Sequence, residues 1–241
     1  MAAAHNAVDI AASTLAEAVA EAELVVVATP VGSIAAQVTA ALEGSAPDCT
    51  VTDVGSTKGR LCGALAGSDR FVGGHPMSGS ETSGPRGATA DLFDDATWFL
   101  TPLPETAPVR YSAVEDFVSS LGAAPVRIDA DEHDRLLALV SHLPHALANL
   151  LMQQVGAARI EDRDPLAHAG ASFRDMTRVA GANGRVWTDI FLDNAPALIA
   201  VLTDHRRRVE RFESALREAD QERLFQWIDE IAKLRTENQC F

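Results

Sequence analysis

The sequence has few cysteines, no long basic stretch and no long apolar run. Its three cysteines, Cys49, Cys62 and Cys240, form no CxxC pair, which argues against a disulfide framework or a zinc site and fits a reducing cytoplasm. A formal net charge of −14 without a basic stripe argues against nucleic acid. No run approaches the roughly 18 apolar residues of a membrane span, and the N-terminus lacks the basic flank and apolar core of a signal peptide. We therefore expect a cytoplasmic protein with no membrane or nucleic-acid partner.

What remains is typical of a globular α/β protein, with 47% hydrophobic and 22% charged residues in a chain of 241. Short β-branched runs predict strands at residues 24–28, 50–54, 71–73, 97–101 and 125–128, the first of them buried on both faces. Helical segments are predicted between them, near residues 15–22, 33–43, 61–65 and 109–121, with Thr14 and Ser33 at two of the helix starts. This alternation predicts a doubly wound, mainly parallel sheet.

The second half of the chain has a different pattern. From Asp129 onward, helical periodicity extends over residues 134–158, 196–219 and 221–234, and strand-like runs are absent. We predict an α/β domain over residues 1–128 and a helical domain over residues 129–241. The long amphipathic helices carry more apolar surface than this segment can bury alone, which predicts a homodimer.

Three predicted strands end in loops of small and polar residues, which read ATPVGS, DVGSTKG and GGHPMSGSE. The ligand crevice of an open parallel sheet lies at the carboxyl ends of its strands, so the loops are expected to meet at one site. In the third loop Pro76 restrains His75 to an extended conformation, which predicts an imidazole on a stiff loop just after the strand. The alternative is a histidine that only hydrogen-bonds its own loop.

The segment SHLPH places His142 and His145 on one helix face, next to a kink or break at Pro144. These histidines are either core and capping residues or part of a pocket lining. A zinc site is not expected, because no third ligand lies at suitable spacing.

Arg174 and Arg178 have the i,i+4 spacing of one helix face, and Asp175 lies three residues before Arg178. Facing a crevice, Arg178 can grip a carboxylate with two hydrogen bonds. The alternative is a surface ion pair of little consequence.

Five blocks of the sequence, in this order, resemble the prephenate/arogenate dehydrogenases of tyrosine biosynthesis: VVVATPVGSI, DVGSTKG, GGHPMSGSETSG, SHLPHALA and FRDMTRVAGANGRVWTDIFLDN. The resemblance implies a partial Rossmann-type domain that binds NAD or NADP, with NAD favoured, followed by an all-helical dimerisation domain. The implied reaction is oxidative decarboxylation of prephenate to 4-hydroxyphenylpyruvate, or of arogenate to tyrosine.

The resemblance also implies roles for individual residues. His75 matches the catalytic histidine that hydrogen-bonds the ring hydroxyl, and Ser56 is expected beside that hydroxyl. The residues expected to bind substrate are Arg178, His145, Glu81, Ser80, Asp175 and Trp187. Those expected to bind the cofactor are Thr29, Pro30, Val31, Asp53, Gly55 and Ser56, and no metal is expected. A neutral His75 can accept the hydroxyl proton as hydride leaves the same carbon.

One part of the family pattern is missing. A dinucleotide-binding domain opens with a strand, the GxGxxG fingerprint and a helix, and this sequence has no such fingerprint before its first predicted strand. A shortened chain or a start assigned too late, a piece carried on another chain, or true loss of the loop would each explain this. The first and third would weaken cofactor binding and leave an exposed sheet edge. The alternative function is therefore a cofactor-less, non-catalytic relative or fragment that binds the cyclohexadienyl ligand.

Overall fold

The computed structural model describes residues 8–79 and 88–238. Contacts divide the chain into two compact units, Met1–Leu198 and Ile199–Phe241. The domain boundary near Ile128 stays a prediction.

The first unit is built on a five-stranded sheet in the order β1-β2-β3-β4-β5. All neighbouring strands are parallel except β3 and β4, which are antiparallel. This confirms the predicted mainly parallel α/β architecture, and every predicted strand is present. The strands are β1 (Leu24–Val27), β2 (Thr50–Asp53), β3 (Phe71–Pro76), β4 (Thr97–Pro102) and β5 (Ala124–Arg127).

Helices connect and follow these strands, largely where the sequence predicts them. The first eight are α1 (Leu15–Val19), α2 (Val31–Gly44), α3 (Gly59–Ala64), α4 (Pro108–Ser120), α5 (Ala130–Leu137), α6 (Leu143–Ala157), α7 (Ala171–Thr177) and α8 (Gly184–Asp193). A π-helical turn, Ala138–His142, joins α5 to α6, and 3-10 turns cover Pro165–His168 and Arg178–Gly181. The last two helices are α9 (Ala195–Arg217) and α10 (Gln221–Glu237).

Two apolar clusters lie on opposite faces of the sheet. Phe71 packs in one with Ile34 and Val38 of α2, while the next residue, Val72, packs in the other with Val114 of α4. Successive side chains of a strand point to opposite faces, so adjacent residues of β3 supply both clusters. Helices therefore cover the sheet on both sides, as a doubly wound fold requires.

Two local expectations are wrong. β1 is not buried on both faces, because it lies at an edge of the described sheet and Val26 is 37% exposed. Ser33 does not cap α2, since the helix begins two residues earlier at Val31 and the Ser33 hydroxyl donates to the Pro30 carbonyl at 2.9 Å. Thr14 does cap α1, by accepting a hydrogen bond from the Glu17 amide.

The helical run Ala130–Ala157 is long and apolar enough to cross a membrane by length and composition alone, although no such run was expected. It carries His133, Asp134, His142 and His145, all of which are buried, and the ring of His133 contacts Phe99 of β4. A run that buries four polar side chains in this way is better explained as a core helix of the first unit.

The second unit contains most of α9 and all of α10, which confirms the helices predicted there. Phe212 of α9 and Trp227 of α10 lie with their ring centroids 5.2 Å apart. Several large apolar side chains of these helices remain exposed, among them Val209, Leu216, Phe225, Ile228, Ile231 and Leu234.

Candidate active site

His75 lies within β3, opposite Phe99 of β4, and is only 8% exposed. The expectation that it sits on a loop after the strand is wrong. β3 continues to Pro76, because the fixed φ of proline suits an extended strand and the antiparallel β4 supplies pairing partners this far. The imidazole is thus held by the sheet itself.

The His75 ring belongs to a buried chain of hydrogen bonds. Its Nδ1 lies 2.8 Å from Nε2 of His133, and Nδ1 of His133 lies 2.8 Å from Oδ1 of Asp134. The Asp134 carboxylate also accepts the backbone N–H groups of Lys58 and Gly59, each at 2.8 Å. This series of hydrogen bonds therefore joins β3, α5 and the loop after β2.

The surroundings fix the charge states of the two ends of this chain. Burial lowers the pKa of His75 well below its ordinary value, and the charge of Lys58, with those that His133 and His142 carry when protonated, lowers it further. Burial alone would raise the pKa of Asp134, but hydrogen bonds from His133, Gly59 and Lys58 outweigh burial and lower it. At neutral pH His75 is therefore an uncharged imidazole able to accept a proton, while Asp134 is ionised.

The loop that carries Ser56 is held by a buried ion pair. Lys58 Nζ lies 2.6 Å from Oδ2 of Asp53, and both side chains are fully buried. The Asp53 carboxylate also accepts the backbone N–H groups of Gly55 at 2.7 Å and Gly74 at 3.0 Å. Asp53 was expected to bind the cofactor; its carboxylate is occupied by these internal partners, and its role in cofactor binding stays a prediction.

The other residues expected to bind the cofactor lie at the carboxyl ends of β1 and β2. Thr29 and Pro30 are exposed just after β1, and Val31 begins α2. Gly55 is buried, and a Cβ there would lie 2.6 Å from Cδ1 of Ile34. A side chain at position 55 would therefore have to displace Ile34 or the Asp53 carboxylate, whether or not a cofactor binds.

Both histidines of the SHLPH segment contact the indole ring of Trp187. The His145 ring stacks on Trp187 with centroids 3.4 Å apart and planes 6° apart, and His142 meets the same indole edge-on at 6.2 Å. Nδ2 of Asn194 donates to the Asp134 carbonyl at 2.7 Å and to Nδ1 of His142 at 3.1 Å. Burial lowers the pKa of His142 to about 4, so its neutral ring carries its hydrogen on Nε2.

Pro144 does not break this helix. The π-turn Ala138–His142 leads without interruption into α6, and Pro144, which has no backbone N–H to donate, is the second residue of α6, directly after this turn. The predicted kink or break is therefore a change of helix type.

Two cavities meet at His75. A polar cavity of about 460 Å³ is lined by His75 and Ser56 together with Ser141, His142 and Trp187. An apolar cavity of about 440 Å³ shares His75 and Ser56 and continues past Ala28, Phe93, Trp98 and Phe117. Ala28, Ser56 and His75 come from the three loop regions that were predicted to meet.

Several predicted site residues are not placed at these cavities. Arg178 and Asp175 are exposed, and neither lines a cavity that contains His75. α7 ends at Thr177, so Arg178 begins a 3-10 turn and is not in one helix with Arg174. Ser80 and Glu81 lie outside the described residues. Within residues 8–79 and 88–238, no group of three or more metal-ligating side chains is placed to hold a metal ion.

The sequence analysis missed His133 and Asp134. The adjacent histidine and aspartate in the segment DEHD were the only local signal, and they read as the charged first turn of a helix. The contact with His75 spans 58 positions, which no local pattern indicates.

Family models match almost the whole chain. Residues 1–127 match the nucleotide-binding domain of prephenate dehydrogenase, and residues 129–230 match its dimerization domain.

Individual relatives agree with these matches. The chain is 34% identical to a cyclohexadienyl dehydrogenase of Zymomonas mobilis over 91% of its own length and 76% of the relative's. It is 31% identical to a prephenate dehydrogenase of Bacillus subtilis, over 92% of this chain and 61% of that one. The crystal structure of Aquifex aeolicus prephenate dehydrogenase in complex with hydroxyphenyl propionate and NAD+ superposes with a TM-score of 0.91 at 28% identity, covering 98% of this chain and 84% of that one. The chain belongs to the prephenate dehydrogenase family.

Proposed function

We propose that the chain catalyses the NAD(P)-dependent oxidative decarboxylation of prephenate to 4-hydroxyphenylpyruvate, or of arogenate to tyrosine, with NAD as the favoured cofactor. The observation that carries this proposal is a buried, neutral His75 at the junction of a polar and an apolar cavity. A base in that position can serve a substrate in one cavity and a hydride acceptor in the other.

The residues present fit the nicotinamide end of the cofactor. The apolar cavity is lined by Phe93, Trp98 and Phe117 and opens beside the carboxyl ends of the strands, where a flat apolar ring is accommodated. Thr29 and Pro30 after β1 and Ser56 after β2 would hold this end. A bound nicotinamide supplies the hydride acceptor.

His75 moves the proton in this proposal. It accepts the proton of the substrate's C4 hydroxyl as the C4–H bond gives up its hydride. The bond from the ring to its carboxylate then breaks, its electrons enter the ring, CO2 leaves and the ring becomes aromatic. His75 returns the proton to the phenolate oxygen, so the enzyme's residues end unchanged. Ser56 lines the same cavities, and its hydroxyl would hold the reacting oxygen.

The remaining substrate contacts are proposed as follows. The stacked pair of His145 and Trp187 forms a rigid flat surface beside the polar cavity, against which the substrate ring can lie. Arg178 binds the side-chain carboxylate, with Asp175 orienting it, because a guanidinium matches a carboxylate with two hydrogen bonds. Ser80 and Glu81 are proposed to bind substrate as well.

We further propose that the protein is a homodimer in the cytoplasm. The exposed apolar side chains of α9 and α10, in the region that matches a dimerization domain, are the surface that a second copy would cover. The buried thiols of Cys49 and Cys62 are unpaired, which suits a reducing compartment.

The test is a titration of NAD+ and NADP+ against the purified chain, with and without prephenate, followed by absorbance of the reduced nucleotide. His75→Asn is expected to lower kcat by about 10²- to 10⁴-fold and to leave nucleotide affinity unchanged. His168→Asn, at an exposed histidine of a 3-10 turn, is the matched control and should leave kcat unchanged.

A second candidate is a cofactor-less protein that binds the cyclohexadienyl ligand. Saturable prephenate binding, weakened by Arg178→Ala, without measurable affinity for either nucleotide would favour that candidate and refute the dehydrogenase.

A further inference from the structure

The hydrogen bonds around Asp134 determine where the protons of the buried chain lie. The carboxylate is ionised and accepts two backbone N–H groups, from Lys58 and Gly59. An ionised carboxylate only accepts hydrogen bonds. Nδ1 of His133, 2.8 Å away, must therefore carry a hydrogen and donate it.

The position of the hydrogen on His133 determines which nitrogen of His75 carries a hydrogen. If His133 is uncharged and carries its hydrogen on Nδ1, its Nε2 keeps a lone pair. Nδ1 of His75, 2.8 Å from that lone pair, must then donate its own hydrogen. The remaining nitrogen of His75, Nε2, is left with the lone pair.

We propose that His133 is a positioning residue, which holds His75 in the Nδ1–H tautomer so that Nε2 accepts the substrate's proton, with the Asp134 carboxylate stabilising the positive charge that follows. The proposal rests on the proposed function in one respect, namely that His75 is the base. The assignment of the tautomer rests on the contacts above and on an uncharged His133, which is part of the proposal. No bond other than an N–H is made or broken within the chain: the hydroxyl proton adds to His75 Nε2, and the same proton leaves again after CO2 is lost.

The energetic reason for such an arrangement is burial. An imidazolium formed at His75 would be desolvated, which is costly without a partner. The hydrogen bond through His133 connects it to a carboxylate held by two main-chain amides, at a site where the electrostatic effect of a charge is weakly screened. A neutral imidazole in water exchanges between tautomers, and the contact with His133 removes this freedom before substrate arrives.

The alternative is a purely structural role, in which His133 only ties α5 to the sheet. Two substitutions separate the two roles. His133→Gln places its carbonyl oxygen where Nε2 of His133 lies, so it can still accept from His75. His133→Asn places its amide near the position of Nδ1, so it can still donate to Asp134 but no longer reaches His75. A structural tie is weakened by both, whereas the tautomer of His75 is lost only in the asparagine variant.

The first readout needs neither substrate nor cofactor. In protein labelled with ¹⁵N-histidine, the His75 resonances are identified among those of the seven histidines by their loss in His75→Asn. We expect a protonated Nδ1 and an unprotonated Nε2 in the wild type and in His133→Gln, and a mixture of tautomers in His133→Asn. A wild-type His75 with its hydrogen on Nε2 would overturn the proposal.

The second readout is steady-state kinetics. His133→Asn is expected to lower kcat by about ten- to a hundredfold while KM for prephenate stays within about threefold, because His133 acts on the base and does not touch substrate. His133→Gln should keep kcat within about tenfold of the wild type. Equal kcat in all three proteins would overturn the positioning role. An inactive wild type that shows the expected tautomer would refute the proposed function and leave the tautomer assignment supported.

Discussion

Replacing Lys58 with methionine should destabilise the protein far more than replacing an exposed lysine in an equally short ion pair. Lys58 Nζ lies 2.6 Å from Asp53, and both side chains are fully buried. Without the ammonium, the Asp53 carboxylate keeps two backbone N–H donors but has no opposite charge. Leaving one charge of a buried pair uncompensated costs about 3–5 kcal/mol, and the remaining hydrogen bonds place the expected loss near the lower value.

The assay is thermal or urea unfolding followed by circular dichroism at a fixed protein concentration. A loss of about 3 kcal/mol corresponds to a midpoint lower by about 6–12 °C for a chain of this size. The control is Lys233→Met, because Lys233 lies 2.7 Å from Asp229 with both side chains exposed, and such pairs contribute little. Equal midpoints for the two variants would refute the reasoning that burial, and not distance, sets the contribution of the pair.

Three further predictions concern pH, glycine and the indole. His75 and His142 have lowered pKa values in the folded state, so the unfolded chain binds more protons than the folded chain below about pH 6.5. The free energy of unfolding should therefore fall by about 2 kcal/mol per histidine between pH 7.5 and 5. A free energy of unfolding in urea that does not change with pH would contradict this. Gly74→Ala should lower the unfolding midpoint, since its Cβ would clash with a backbone carbonyl and two side chains. The control Gly63→Ala should not lower the midpoint, because Gly63 lies in α3 with open space around it. Equal midpoints for the two variants would contradict the prediction. Trp187→Ala should raise KM for prephenate by about tenfold and Trp187→Phe by less, and an unchanged KM in both would remove the indole from the substrate site.

The sheet could be predicted because its signals are local. Each strand is a short apolar run ended by small or polar residues, and parallel strands gather their carboxyl ends by geometry alone. That is why Ala28, Ser56 and His75 could be expected at one place, and the structure does bring them to one cavity.

The polar interior could not be predicted in the same way. Asp53 was expected to bind the cofactor, and nothing in the sequence indicated that Lys58, His133 and Asp134 are buried, because charged side chains are mostly exposed. Asp53 and Lys58 pair with each other across five positions, but His133 and Asp134 are buried by partners far along the chain, such as the Lys58 amide, which lies 76 positions from Asp134. Such pairings depend on the tertiary fold, and a single sequence carries no local sign of them.

The length of the π-turn Ala138–His142 constrains how this site can evolve. Such a turn holds one residue more than the α-helical turn it replaces, so one codon gained or lost converts the one into the other. Each residue advances an α-helix by about 100°, and losing one would swing His142 and His145 away from Trp187 relative to the preceding helix. Point substitutions in α6 leave its orientation about the helix axis unchanged. A gain or loss of one residue in the π-turn rotates every later residue of α6 about that axis. We therefore expect lineages to vary the composition of this helix freely while keeping its residue count between His133 and His145.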